Sequence, residues 1–579
     1  MTAESVRHTK FASWYDPDAW MEKMKGPRWE ALLDEEEEIA SAVTENPAVK
    51  KRLAPFKAFY KKAAVKEEVL FSSGKVQIQY HSEFFQSWRS TGEWHQSRDL
   101  TATDTHVWAT RDVGDGAEDF ALECFAEKKL WSKHPVGPNV ALVGDTLFYL
   151  SVKNKLIYHE LWSCNALTGK NAKCLYKEKD PQTNLAIEKH PDGPYLVCDH
   201  SQNTKYFYLP SLKAKDPYKP PSAWILPPLK EYSAVFVWPQ EGLLITQVHG
   251  DKTVWRCSAS KRPETLLHIE AGSILFDPFT NKQERAILVS EPLGFSSYVY
   301  KDKELQRLSP PLKQDLKGQR IQAKSHDGTI VHGYIATKVK KPKALLVIGY
   351  GAYGIPTNMG SFKNRWAPLL DSDWAICVGF LRGGGDHTEA WGKAGRREGR
   401  TRTLEDFESI VRQAQHMYSI PPEKTTIYGR SAGGLLVGGT LTNHPDGSLM
   451  GSIYTEVPYV DELRTTTNSD LPLTVLEYDE FGNPRDCLED FLSVGLLSPA
   501  DSATVIKTPN VFVLARTAVH DSQVFAYEPL KWIRRLRKNG GAPKICIVDR
   551  NAGHFTAPDT QLQQWSLDCA ILDSWTSRS

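Results

Sequence analysis

The chain has 579 residues, 41% of them hydrophobic and 24% charged, with a formal net charge of +1. That length exceeds one ordinary domain and implies two or three. The near-zero charge offers no electrostatic reason to bind nucleic acid or an anionic membrane surface. Nine cysteines lack metal-type or disulfide-framework spacing, which suits free thiols in a reducing compartment. No apolar run is long enough to span a bilayer and the N-terminal segment has no apolar core, so neither a membrane helix nor a secretory signal is expected, and the cytoplasm is the expected location.

Residues 1–69 read as a helical segment. Trp29 to Leu33 leads into an acidic run and then Ile39, Ala42 and Val43 at helical spacing, Pro47 interrupts, and Val49 to Ala64 resumes. The acidic run Asp34 to Glu38 reads as a solvated helix face. Residues 70–310 change to short β-type runs between Gly, Pro, Asn and Asp turns, such as Val76 to Tyr80, Leu147 to Leu150 and Leu243 to Thr246. Roughly five units of about 40 residues fit the period of propeller blades, and a pair of β-sandwiches is the plainer alternative. From residue 311 to 579 strands and helices alternate, the mark of a mostly parallel sheet with helices on both faces.

In that last region Thr425 to Tyr428 reads as a strand, Leu435 to Leu441 as a helix, and Gly429-Arg430-Ser431-Ala432-Gly433 as the tight turn between them. The Gly-x-Ser-x-Gly pattern in this strand–turn–helix setting is a nucleophile elbow that exposes a serine hydroxyl. Its acid and base partners follow in chain order on loops after later strands. Asn510 to Ala515 is such a strand, and Asp521 follows it; Ile545 to Val548 is the next, and His554 follows that. His520 precedes the acid and reads as a loop histidine, while Asp549 sits only five residues before His554 on the same connection.

Around the elbow, further stretches stand in a fixed order: Tyr350-Gly351-Ala352-Tyr353-Gly354, Arg382-Gly383-Gly384-Gly385, Val457-Pro458-Tyr459-Val460-Asp461, Gly482-Asn483-Pro484 and His520-Asp521-Ser522-Gln523-Val524. With these the C-terminal half resembles the prolyl oligopeptidase family of serine peptidases, and within it the oligopeptidase B branch. Tyr15-Asp16-Pro17-Asp18-Ala19-Trp20 is similar to that family's opening segment. The resemblance implies an α/β-hydrolase catalytic domain beneath a β-propeller with fewer than seven blades, acting on short peptides without metal or organic cofactor, as a monomer or homodimer. It implies a triad of Ser431, Asp521 and His554, and an oxyanion site made by the Tyr350 hydroxyl and the Ala432 N–H. It also implies cleavage after Arg or Lys through Glu477 and Asp479, with Tyr353 lining the same pocket. Two carboxylates suit a guanidinium, which rewards bidentate pairing.

The sequence departs from the family at three points. Asp479 stands where the family usually has Glu. Asn358 and Gly360 fall where two acids give the family its taste for a second basic residue, so a dibasic preference has no support. Gly553-His554-Phe555 replaces the family's Gly-His-Gly. The rival readings are a related hydrolase with post-proline, acyl-aminoacyl or esterase specificity, and a non-catalytic propeller scaffold.

Overall fold

A computed structural model describes residues 6–64, 70–73, 76–82, 85–89, 94–114, 116–154, 156–190, 192–200, 203–228, 234–237, 241–276, 285–292, 294–309, 316–357, 365–556 and 558–578. Asn358 and Gly360 lie outside these residues. The chain opens with a short antiparallel pair, Val6–His8 with Ser13–Tyr15. Two helices follow, Pro27–Thr44 and Pro47–Ala64. Each starts on proline, whose missing N–H costs nothing at a first helical position, and the Asn46 side chain accepts from the Ala48 N–H at 2.9 Å to cap the second.

The acidic run on the first helix is not uniformly solvated. Glu36 is 1% exposed and takes both arms of the Arg537 guanidinium at 2.9 and 2.7 Å. Asp34 instead meets Arg550 near the surface. A run that carries one helix face in sequence wraps partly toward the domain it packs on, and the inward member needs a bidentate partner to be buried.

Six four-stranded antiparallel sheets then follow in chain order, spanning 70–97, 99–136, 140–177, 184–214, 234–269 and 273–307. They are the blades of a propeller. Six replaces the roughly five units expected from the sequence, because the repeats are uneven. The fourth blade closes on an outer strand of only two residues, Lys213–Ala214, which leaves almost no pattern to count.

The catalytic half is an eight-stranded sheet in the order Lys317–Lys324, Ile330–Thr337, Trp374–Phe380, Ala344–Ile348, Thr425–Arg430, Ser452–Glu456, Phe512–Ala518, Lys544–Asp549. The first two pairings are antiparallel and the remainder parallel. Ala344–Ile348 is buried along its whole length, as a strand covered on both faces must be. Leu345 and Val347 pack with Phe407, Leu436 and Leu530 on one face. Leu346 and Ile348 pack with Leu369, Trp374 and Ala570 on the other. None of the nine cysteines is paired, and seven are buried. Among the described residues no helix is long and apolar enough to cross a membrane.

The opening segment is tied down by charge. Lys531, 0% exposed, lies 2.8 Å from Asp16, 3.0 Å from Glu22 and 2.9 Å from Asp461. Arg535 reaches Asp16 at 2.6 Å and Asp18 at 2.9 Å. Both cations stand on the helix Tyr527–Lys538.

Candidate active site

The elbow is built by backbone crowding. A Cβ on Gly429 would lie 2.2 Å from the Gly433 carbonyl oxygen, and one on Gly434 would lie 2.6 Å from Pro458 Cβ, so only glycine lets the strand turn directly into the helix Gly433–Asn443. Ser431 itself sits at φ 54°, a left-handed conformation that costs a non-glycine residue about 1–3 kcal/mol. Three main-chain bonds hold it there: its N–H to the Glu456 carbonyl at 3.0 Å, and its carbonyl from the N–H groups of Tyr459 at 2.9 Å and Gly434 at 2.7 Å.

His554 and Asp521 are 3% and 2% exposed. His554 Nδ1 is 2.8 Å from Asp521 Oδ2. The other carboxylate oxygen accepts from the N–H groups of Gln523 and Val524, each at 2.9 Å. The two loops are joined to each other by His520 N–H to the Ala552 carbonyl at 3.0 Å. An acid–imidazole pair is thus assembled. Ser431 Oγ bonds to no described residue, His554 included, and such bonds commonly tighten only when substrate arrives.

Ala432 caps the helix Gly433–Asn443, and its N–H donates to no described residue. Helix N-termini favour developing negative charge. Tyr350 and Ala432 line one cleft together with Arg400, Thr403 and Leu435. The Tyr350 ring packs on the helix start, 3.6 Å from where a Gly433 Cβ would be. Burial pushes the Tyr350 hydroxyl well above its ordinary range, so it keeps its proton and remains a donor.

Glu477 accepts from the Tyr353 hydroxyl at 2.7 Å. Burial pushes its carboxyl up to about 7, with the Tyr353 bond opposing and the charge of Glu480 adding. Glu480 is the carboxylate that shares Tyr353 with Glu477 and whose charge acts on it. Glu480 accepts from Tyr353 N–H at 2.9 Å and pairs with Arg396 at 3.1 Å and Arg400 at 3.2 Å. Residues three apart share a side of the turn Tyr478–Phe481 whereas residues two apart diverge; Asp479 is half-buried on that turn. Glu462, 1% exposed, is also raised to about 7 by burial, with Arg400 opposing and Glu477 and Glu480 adding. Neither Glu462 nor Arg400 carries a motif signal.

The propeller reaches this site too. Glu118, in its second blade, accepts from Ser522 Oγ at 2.9 Å and from Gln523 Nε2 at 3.0 and 2.9 Å, on the loop that bears Asp521. Among the described residues no group of three His, Cys, Asp or Glu side chains is arranged to hold a metal.

Residues 361–572 match the family model described as the prolyl oligopeptidase family. That match falls within the half of the chain that carries the eight-stranded sheet. Curated relatives of the chain include Protease 2 of Moraxella lacunata, 32% identical over 37% of this chain and 30% of that protein. Dipeptidyl aminopeptidase BI of Pseudoxanthomonas mexicana is 31% identical over 41% of this chain and 33% of that protein, so the match spans about a third of either relative's length. The fold likeness extends further. Oligopeptidase B from Trypanosoma brucei with covalently bound antipain, in a closed form, superposes with TM-score 0.82 at 18% identity over 98% of this chain and 95% of that one. Oligopeptidase B from Leishmania major gives 0.79 at 16% identity with the same coverage.

Proposed function

We propose that this protein is a serine peptidase that hydrolyses short peptides through an acyl-enzyme, cleaving after Arg or Lys. The observation that carries the reading is the buried His554–Asp521 pair at 2.8 Å on loops beside a serine held at φ 54°. In the proposed mechanism His554 takes the Ser431 proton as Oγ attacks the scissile carbonyl, then gives it to the leaving amine; water repeats the cycle on the ester. Asp521 holds Nδ1 as donor and stabilises the imidazolium. The Ala432 N–H and Tyr350 hydroxyl meet the oxyanion, and loss of one such donor costs about 2.7–4 kcal/mol of barrier.

For the substrate side chain, Glu477 is the candidate partner, because its carboxyl accepts from the neutral Tyr353 phenol and makes no ion pair among the described residues, Arg400 acting on it only through its charge. A guanidinium or ammonium placed against it would ionise it and pair with it. Asp479 is proposed as a second acidic contact at the rim. Glu118 ties the propeller to the Asp521 loop, which puts the propeller over the site and favours short peptides over folded chains.

Labelling with a serine-directed fluorophosphonate tests the chemistry: adduct on wild type and none on Ser431→Ala is expected, and an unlabelled wild type ends the reading. A panel of Arg, Lys, Pro and acylated chromogenic substrates tests the pocket. Basic substrates should lead, and Glu477→Gln should remove most of that lead; equal rates across the panel refute basic specificity.

A further inference from the structure

Phe555 stands immediately after His554 and is met by a guanidinium from each domain. Arg430, the residue before Ser431, donates from Nη2 to the His554 carbonyl oxygen and holds its guanidinium 5.2 Å from the Phe555 ring centroid. Arg98 joins the first propeller blade to the second and holds its guanidinium 5.5 Å from the same ring. The Arg98 backbone is rooted in the second blade by its N–H to the Thr110 carbonyl at 2.7 Å. The Phe555 ring stands edge-on to the His554 imidazole, with centroids 5.0 Å apart and planes at 85°. The preceding residue is pressed against the propeller as well. A Cβ at Gly553 would lie 1.6 Å from the Gly116 carbonyl oxygen, so the two backbones touch with no room for a side chain.

We propose that Phe555, clamped between Arg98 of the propeller and Arg430 of the elbow, is a positioning residue that aims the His554 imidazole at Ser431. The inference rests on the serine-peptidase reading above. The Asp521 bond holds the imidazole only at Nδ1, so rotation of the buried ring about that contact is limited by what packs on it rather than by a second hydrogen bond among the described residues. Tethering the His554 carbonyl through Arg430 and buttressing its ring edge with Phe555 limits that rotation. Aromatic rings attract guanidinium groups through their quadrupole, and edge-to-face ring contacts are favoured for the same reason. A displacement of about 1 Å in a reacting group can cost roughly 10²-fold in rate, so a modest contact energy has a large lever.

The test compares kcat, KM, fluorophosphonate labelling rate and Tm for wild type, Phe555→Leu, Phe555→Tyr, Arg98→Gln and the Arg98→Gln/Phe555→Leu double variant. Phe555→Leu and Arg98→Gln should lower kcat about 10- to 100-fold, with KM within about twofold, labelling slowed in step and Tm unmoved. Phe555→Tyr keeps the ring face and should retain near wild-type kcat. The double variant should be no worse than the weaker single one, because both break the same clamp. An unimpaired Phe555→Leu, a loss confined to KM, a Phe555→Tyr as impaired as Phe555→Leu, or a loss that follows a fall in Tm each overturns the proposal. A wild type that never labels overturns the parent reading with it, whereas a labelled wild type beside an unimpaired Phe555→Leu overturns this inference alone.

Discussion

Ser431, Asp521 and His554 stand out in the sequence as candidates because each sits in a local pattern, a turn of small residues or a loop after a buried strand, and the structure joins His554 to Asp521. The neighbours that tune the site were not. Glu480 shares Tyr353 with Glu477 through a helical turn, and Arg400 enters from a helix 80 residues away in sequence. The raised Glu477 carboxyl makes a test at this scale. With a value of about 7, above the ordinary carboxylate range, Glu477 is neutral below that pH and charged above it. The preference for an Arg substrate over a neutral one should therefore fall about tenfold per pH unit below 7 and level off above it. Taking the ratio of the two substrates cancels the titration of the catalytic groups, and Glu477→Gln should make that ratio flat with pH.

At the scale of elements, the strand–turn–helix order of the catalytic half follows from buried β-branched runs and amphipathic helices, and those were readable. The helix Tyr527–Lys538 shows what was not. Its Lys531 and Arg535 carry charges on a helix whose surroundings the sequence does not show, and both are buried against the opening segment. Burial alone would lower the Lys531 ammonium, but Asp461, Asp16 and Glu22 raise it instead. Lys531→Ala leaves those acids buried without their shared cation, which is expected to destabilise the catalytic domain by about 3–5 kcal/mol. Thermal unfolding checks it. A Tm within a degree of wild type would show that the network contributes nothing.

At the scale of the whole molecule, the two domains meet through a histidine stack. His249, on the fifth blade, lies 3.9 Å centroid to centroid from both His332 and His387 of the catalytic domain. Arg320 donates to the His249 carbonyl at 2.9 Å and pairs with Asp251, while Gly250 N–H donates to the Asp386 carbonyl at 2.7 Å. Burial, then His387, His332 and Arg320, push His249 down to about 4. Burial also raises the Asp386 carboxyl to about 6, with Thr357 and Lys252 opposing. The closed interface therefore holds His249 neutral. Protonation of His249 opposes closure, so the contribution of the neutral ring should be fully present above the ordinary histidine value of about 6.5 and be lost as pH falls from there toward 4. The raised Asp386 carboxyl takes up a proton in the closed form and offsets part of that loss below about 6. Small-angle scattering should show a reversible increase in radius of gyration between pH 7 and pH 5, and His249→Phe should suppress it. A radius independent of pH in wild type would remove the stack from any role in closure.

The sequence by itself determined the tight strand–turn–helix at Ser431, the alternating character of the catalytic half and the β-type texture of residues 70–310, since these depend on local turns and hydrophobic period. Tertiary structure alone decided the blade number, the burial of Glu36 and Lys531, the meeting of Tyr353 with Glu477 and Glu480, and the meeting of Arg98 with Phe555. Those outcomes join residues far apart in the chain, and burial changes the cost of a charge only once its distant partner is in place.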